Sequence, residues 1–101
     1  EVGLEAIGAL RGPLAVLRGR NVDLYHQVRR AGASMTLNLA EGRRRVGKDR
    51  KHLWRVAMGS ADEVRVALRT AVEFGDLEAR ELSQPLELLD REVAMLWKVT
   101  H

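Results

Sequence analysis

Residues 48–74, KDRKHLWRVAMGSADEVRVALRTAVEF, carry small or apolar side chains at Leu53, Ala57, Ser60, Val64, Ala67, Ala71 and Phe74. The steps alternate between four and three, the heptad spacing of helices that pack in a left-handed bundle. Trp54, Ala61, Leu68 and Val72 form a second stripe beside the first. Two adjacent stripes call for burial over a wide arc, as in a bundle whose outer face meets another subunit. A helix over 48–74 is about 40 Å long at the helical rise. Gly75 is its natural stop, because glycine takes the left-handed conformation that ends helices without a steric cost.

Three further segments of helical length flank this one. Over 77–99, Leu82, Leu86, Leu89, Val93 and Leu96 make a second clean seam, and Pro85 interrupts it. Proline lacks the backbone donor and clashes with the preceding turn, so a kinked or two-part helix is expected, its main part starting near Ser83. Over 21–41 the stripe is Leu24, Val28, Ala31, Met35 and Leu39, with Asn21 placed to cap the first turn and Gly42 to end the helix in the left-handed conformation. Over 2–17 it is Leu4, Ile7, Leu10, Leu14 and Leu17, with Gly12-Pro13 predicting a kink or a late start. Four amphipathic segments with short connections predict one all-α domain over 1–101, an antiparallel up-down-up-down four-helix bundle.

Composition agrees with helices. Of the 101 residues 46% are hydrophobic but only 4% aromatic, and Leu, Val and Ala dominate, whereas strands favour aromatic and β-branched residues. The absence of cysteine excludes disulfides and thiolate metal sites and is compatible with a reducing, cytoplasmic setting. No apolar run reaches membrane-spanning length. The net charge is only +3, but it is unevenly spread. Eleven Lys and Arg lie between Arg18 and Arg55 against three acids, Asp23, Glu41 and Asp49, whereas from Val56 onward nine acids face five bases. Such polarity marks one basic region able to meet an anionic partner.

The junction of the second and third segments carries the most specific signal. It reads Gln27-Val28-Arg29-Arg30-Ala31, then Ser34-Met35-Thr36-Leu37-Asn38-Leu39-Ala40-Glu41-Gly42, an Arg-rich turn, and Ala57-Met58-Gly59-Ser60-Ala61-Asp62-Glu63. This resembles the four-helix-bundle family named after proteins encoded in intervening sequences of bacterial 23S rRNA genes, over roughly residues 25–77. Met35 and Leu39 stand where that family usually has isoleucine, a change that keeps volume and apolarity. The Arg43-Arg44-Arg45-Val46-Gly47 turn lacks the aromatic that many members carry there. The resemblance implies a homopentameric bundle related to accessory proteins of diversity-generating retroelements, which bind a reverse transcriptase and nucleic acid through a basic surface.

Arg43, Arg44, Arg45, Lys48, Arg50, Lys51 and Arg55 are the candidate nucleic-acid contacts, because guanidinium groups match phosphate with paired hydrogen bonds. An acidic protein surface and a merely solvated turn are the alternatives. Their place at a helix N-terminus opposes the helix dipole. A structural role is the preferred reading of the family-motif residues. Asn38 is expected to tie two helices by a hydrogen bond, Glu41 to pair with a neighbouring arginine, and Gly42 to cap. Gly59 and Ser60 are expected to let a neighbouring helix come close on the seam, and Glu63 completes the motif. Trp54 and Trp97 are read as packing residues, Trp97 toward a subunit interface. The pairs Asp23–His26 and Asp49–His52 have the spacing of bundle metal ligands, but the antiparallel arrangement sets the two histidines about 15 Å apart along the axis. No metal, cofactor or catalytic centre is therefore expected. The chain is read as a non-enzymatic homo-oligomer that binds RNA or DNA, as accessory to a nucleic-acid-handling protein, or as a purely structural scaffold.

Overall fold

The computed structural model describes residues 1–101 and is all-α, without a strand. Its helices are α1 (Val2–Ala9), α2 (Arg11–Arg20), α3 (Val22–Arg43), α4 (Gly47–Glu73) and α5 (Ser83–Thr100), with a 3-10 turn at Ala79–Leu82 ahead of α5. The molecule is a rod of 42 × 20 × 19 Å. No helix is long and apolar enough to cross a membrane.

The heptad seam of α4 forms the spine. Ala57, Ser60, Val64, Ala67 and Ala71 are buried, as are Ala61 and Leu68 of the second stripe. The seam fails at its ends. Leu53 is half-buried, and Phe74 is 70% exposed because the helix stops at Glu73 and Gly75 turns the chain away. Gly75 takes φ +81° as expected, and the amides of Asp76 and Leu77 both reach back to the Ala71 carbonyl, at 2.8 and 3.3 Å. These bonds occupy a carbonyl that the helix end leaves open.

α3 runs antiparallel to α4. Gln27 meets Glu63, Ser34 meets Ser60 and Leu39 meets Trp54, so position rises on one helix as it falls on the other. α5 is likewise antiparallel to α4, with Arg65 on Asp90 and Arg55 on the Thr100 carbonyl. Between them lies a core that includes Val28, Met35, Leu39, Val64, Leu68, Leu82, Leu89 and Leu96, closed by Ala6, Leu10 and Leu17 of the first arm. Burying each such leucine contributes roughly 1.5–3 kcal/mol.

That arm is two helices, where one helix with a kink or a late start was expected. In a continuous helix the Pro13 ring would strike the Ala9 carbonyl, four residues earlier, and α1 ends at Ala9. Pro13 becomes the third residue of α2, inside the first turn, where its missing N–H leaves no intrahelical bond unmade. Pro85 occupies the same third position in α5, which explains the two-part fourth segment. Ser83 is the first residue of α5, not its cap. Breaking the arm lets α1 lean on α5 while α2 leans on α3, and it leaves Leu4 on the outside, 61% exposed.

Two glycine expectations need correction. Gly42 does not end α3, which continues through Arg43. The left-handed residue after it is Gly47, at φ +59°. Gly42 is buried beneath the Trp54 indole, which a Cβ there would overlap. Gly59 lies exposed in mid-α4, and a methyl group placed on it would meet no neighbour within 4 Å, so within the chain it admits no adjoining helix. Gly59→Ala should therefore stabilise the subunit by about 1 kcal/mol, the helix-propensity difference. That raises the melting temperature by roughly 4–8 °C for a domain of this size. A thermal melt at high dilution checks it. A fall in melting temperature would show that something packs on this glycine.

Candidate nucleic-acid interface

The end of α3, the turn through Val46 and the start of α4 bring the seven candidate cations to one end of the rod. Arg43 pairs with Glu1 at the head of α1. Arg44 and Arg45 share Glu41, at 2.6 and 3.1 Å, and Arg45 also lies 3.9 Å from Asp49. The hydrogen bond from Arg44, then that from Arg45, holds the Glu41 carboxyl below its ordinary range. All three guanidiniums stay at least half exposed. Ion pairs that open to water are weak, so the same guanidiniums remain able to exchange their carboxylates for a phosphate.

Arg50 and Arg55 have a different task. Arg50 donates from Nε to the Gly42 carbonyl at 3.0 Å and from Nη2 to the Arg43 carbonyl at 3.2 Å. It also lies 5.4 Å over the Trp54 ring. Arg55 donates to the Thr100 carbonyl at 2.6 Å. Each arginine thus supplies donors to the last carbonyls of another helix, α3 and α5, where a cation is favoured by the dipole. The cost expected from cations at the α4 N-terminus is offset because two C-termini converge on the same place. Lys48 and Lys51 are exposed and have no carboxylate within ion-pair distance. Seven cations face three carboxylates, Glu1, Glu41 and Asp49, so the end as a whole is electropositive.

The family-motif residues lie along the α3–α4 contact. Ser34 and Ser60 hydroxyls meet at 2.8 Å, a part-buried tie between the helices. Asn38, expected to make that tie, instead donates back to the Ser34 carbonyl at 2.8 Å and to its hydroxyl at 3.3 Å. It thereby orients the serine. Glu63 accepts from Gln27 at 3.1 Å, and Gln27 accepts from Arg30 at 2.7 Å. Trp54 donates to the Leu39 carbonyl at 3.3 Å. His26 sits edge-on to Tyr25 at 5.3 Å, and Asp49 lies 3.9 Å from Arg45.

Two features are not legible in the sequence. Glu92 is only 4% exposed, and its Oε2 has no hydrogen-bond partner. Burial first, then the Glu1 charge, pushes its carboxyl above the ordinary range, with Arg43 opposing. Its place three residues after Leu89 and four before Leu96 is the one available signal. At the other edge of the basic end, His101 stacks on Trp97, with centroids 3.5 Å apart and 16° between planes.

No curated protein and no solved structure matches the chain. The family model of the 23S rRNA-intervening sequence protein matches residues 17–98, spanning α3, α4 and nearly all of α5, and the chain belongs to that family.

Proposed function

We propose that this protein is a non-enzymatic, cytoplasmic homo-oligomer, pentameric as the family resemblance implies, that binds nucleic acid through the basic end of the rod and serves a nucleic-acid-handling partner. The observation that carries this reading is the gathering of seven cations at an end that pairs only three of them with carboxylates, Lys48 and Lys51 being unpaired and exposed. Phosphate neutralisation is the contact such a surface makes best, and repetition around a closed ring would multiply a weak site by avidity.

The test is a salt-dependent titration with RNA and DNA on protein of known oligomeric state. The triple variant Arg44→Glu, Lys48→Glu, Lys51→Glu leaves Arg43, Arg50 and Arg55 in their structural contacts. It should lower affinity by about a hundred-fold or more near physiological salt. The slope of log K against log salt should fall by about 2–3, roughly one unit for each lost phosphate contact. Helix content should not change. Undiminished binding by this variant would end the proposal.

The second reading, an oligomeric scaffold without nucleic-acid binding, is favoured by bulky apolar side chains left outside on α3 and α4, among them Leu37 at 68% exposure and Val66. It predicts the same assembly and no nucleic-acid affinity at that salt.

A further inference from the structure

We infer that the ligand of this basic end is a single strand and that one of its bases stacks on Trp97; the inference rests on the nucleic-acid reading above. Lys48, Lys51 and Arg55 are spaced three and four apart, so they share one face of α4. All three are exposed. The row is about 10 Å long, the reach of a few nucleotides. It ends at the tip of α5, because Arg55 holds the Thr100 carbonyl at 2.6 Å. The Thr100 hydroxyl lies 3.0 Å from His101 Nδ1, and the His101 ring lies flat on Trp97. The row of cations therefore leads to a pair of stacked planes.

Trp97 remains 56% exposed even with an imidazole on it. An indole left this open has no packing role inside the chain. Seven residues beyond Arg55 the same face carries Asp62, bound to Arg65 at 2.6 Å. There Asp62 and Asp90 of α5 share the one Arg65 guanidinium, so this face does not continue the row of free cations. Phosphate contacts alone would accept duplex and single strand alike. An exposed aromatic adds affinity only for bases whose faces are free, and a duplex keeps its bases stacked on each other. The turn at Arg43–Gly47 lacks an aromatic, and Trp97 supplies one from a different helix.

The experiment titrates wild type, Trp97→Ala, Trp97→Phe and Lys48→Gln/Lys51→Gln with a fluorescent oligothymidylate, an oligouridylate and a duplex of equal length, with light scattering on each protein. Trp97→Ala should bind either single strand about ten-fold more weakly, the loss of one stacked base, and bind duplex as before. Trp97→Phe should retain most of the affinity while losing the quenching of Trp97 emission expected for wild type. The double lysine variant should weaken all three ligands. If wild type binds but Trp97→Ala binds single strands equally well, this inference falls and the nucleic-acid reading stands. If wild type binds none of the three, both fall. If Trp97→Ala changes the assembly size and leaves the single-strand preference intact, Trp97 belongs to a subunit contact and the inference also falls.

Discussion

Glu92→Leu should make the protein more stable by about 1–3 kcal/mol at neutral pH, the cost of a buried polar group without a partner. Glu92 faces inward from α5 with Oε2 unbonded, and the charges that act on it are Glu1, which disfavours its ionised form, and Arg43 and the N-terminal ammonium, which favour it. Its folded-state pKa is raised above the ordinary value of 4.5, chiefly by burial and secondly by Glu1. A carboxyl raised on folding binds more protons in the native than in the unfolded state. Stability therefore falls as pH climbs from the unfolded pKa to the folded one. The advantage of the leucine variant should be smallest below pH 4.5, where the carboxyl is neutral in both states. It should grow as pH rises above that value and level off beyond the folded pKa. Glu92→Gln should abolish the pH dependence while keeping part of the cost, because its amide is also unpaired. Urea unfolding of the three proteins between pH 4 and pH 8 reads all of this. A gap between wild type and Glu92→Leu that does not move with pH would show that the carboxylate is solvated.

Glu92 also marks a boundary between what spacing encodes and what only the fold decides. Hydrophobic spacing draws the α5 seam through Leu82, Leu86, Leu89, Val93 and Leu96 and passes over the acid. The helix is turned so that Leu88, Leu89, Glu92 and Leu96 are buried while Val93 is only partly so. Charge hides a position whose spacing alone would place it inside. The α4 seam is readable because all seven of its positions are small or apolar over about six turns, and periodicity averages over many residues. Its last member, Phe74, falls outside because a stop signal one residue later decides exposure more than phase does. Asn21 is readable as a cap, since its Oδ1 accepts from the amide three residues on, at 3.1 Å. The partners of Arg50 and Arg55 are not. Arg55 bonds a carbonyl 45 residues away, and no local pattern encodes which helix end will arrive there. The basic cluster is thus visible in the sequence as charge, while its division into two capping arginines, three ion-paired arginines and two unpaired lysines comes only with the fold.

Gly42→Leu should cost about 3 kcal/mol, close to the loss of a packed tryptophan, and the cost should be almost wholly coupled to Trp54. The indole lies where a side chain at position 42 would have to go, and the backbone of α3 gives no alternative. One of the two must leave. Displacing Trp54 forfeits its bond to the Leu39 carbonyl and its contact with Arg50. Trp54→Ala alone should cost a similar amount, for the same reason. In the double variant the space is already vacated, so leucine adds little, and the total should fall well short of the sum of the two single losses. Residues in direct contact show such coupling, and distant ones add. Urea unfolding of the four proteins gives the coupling directly, and simple additivity would refute the contact. The same cycle bears on the basic end. Arg50 hangs on the Gly42 and Arg43 carbonyls and on the Trp54 ring, so the glycine that lets tryptophan lie against α3 also sets the height at which the arginine turn stands.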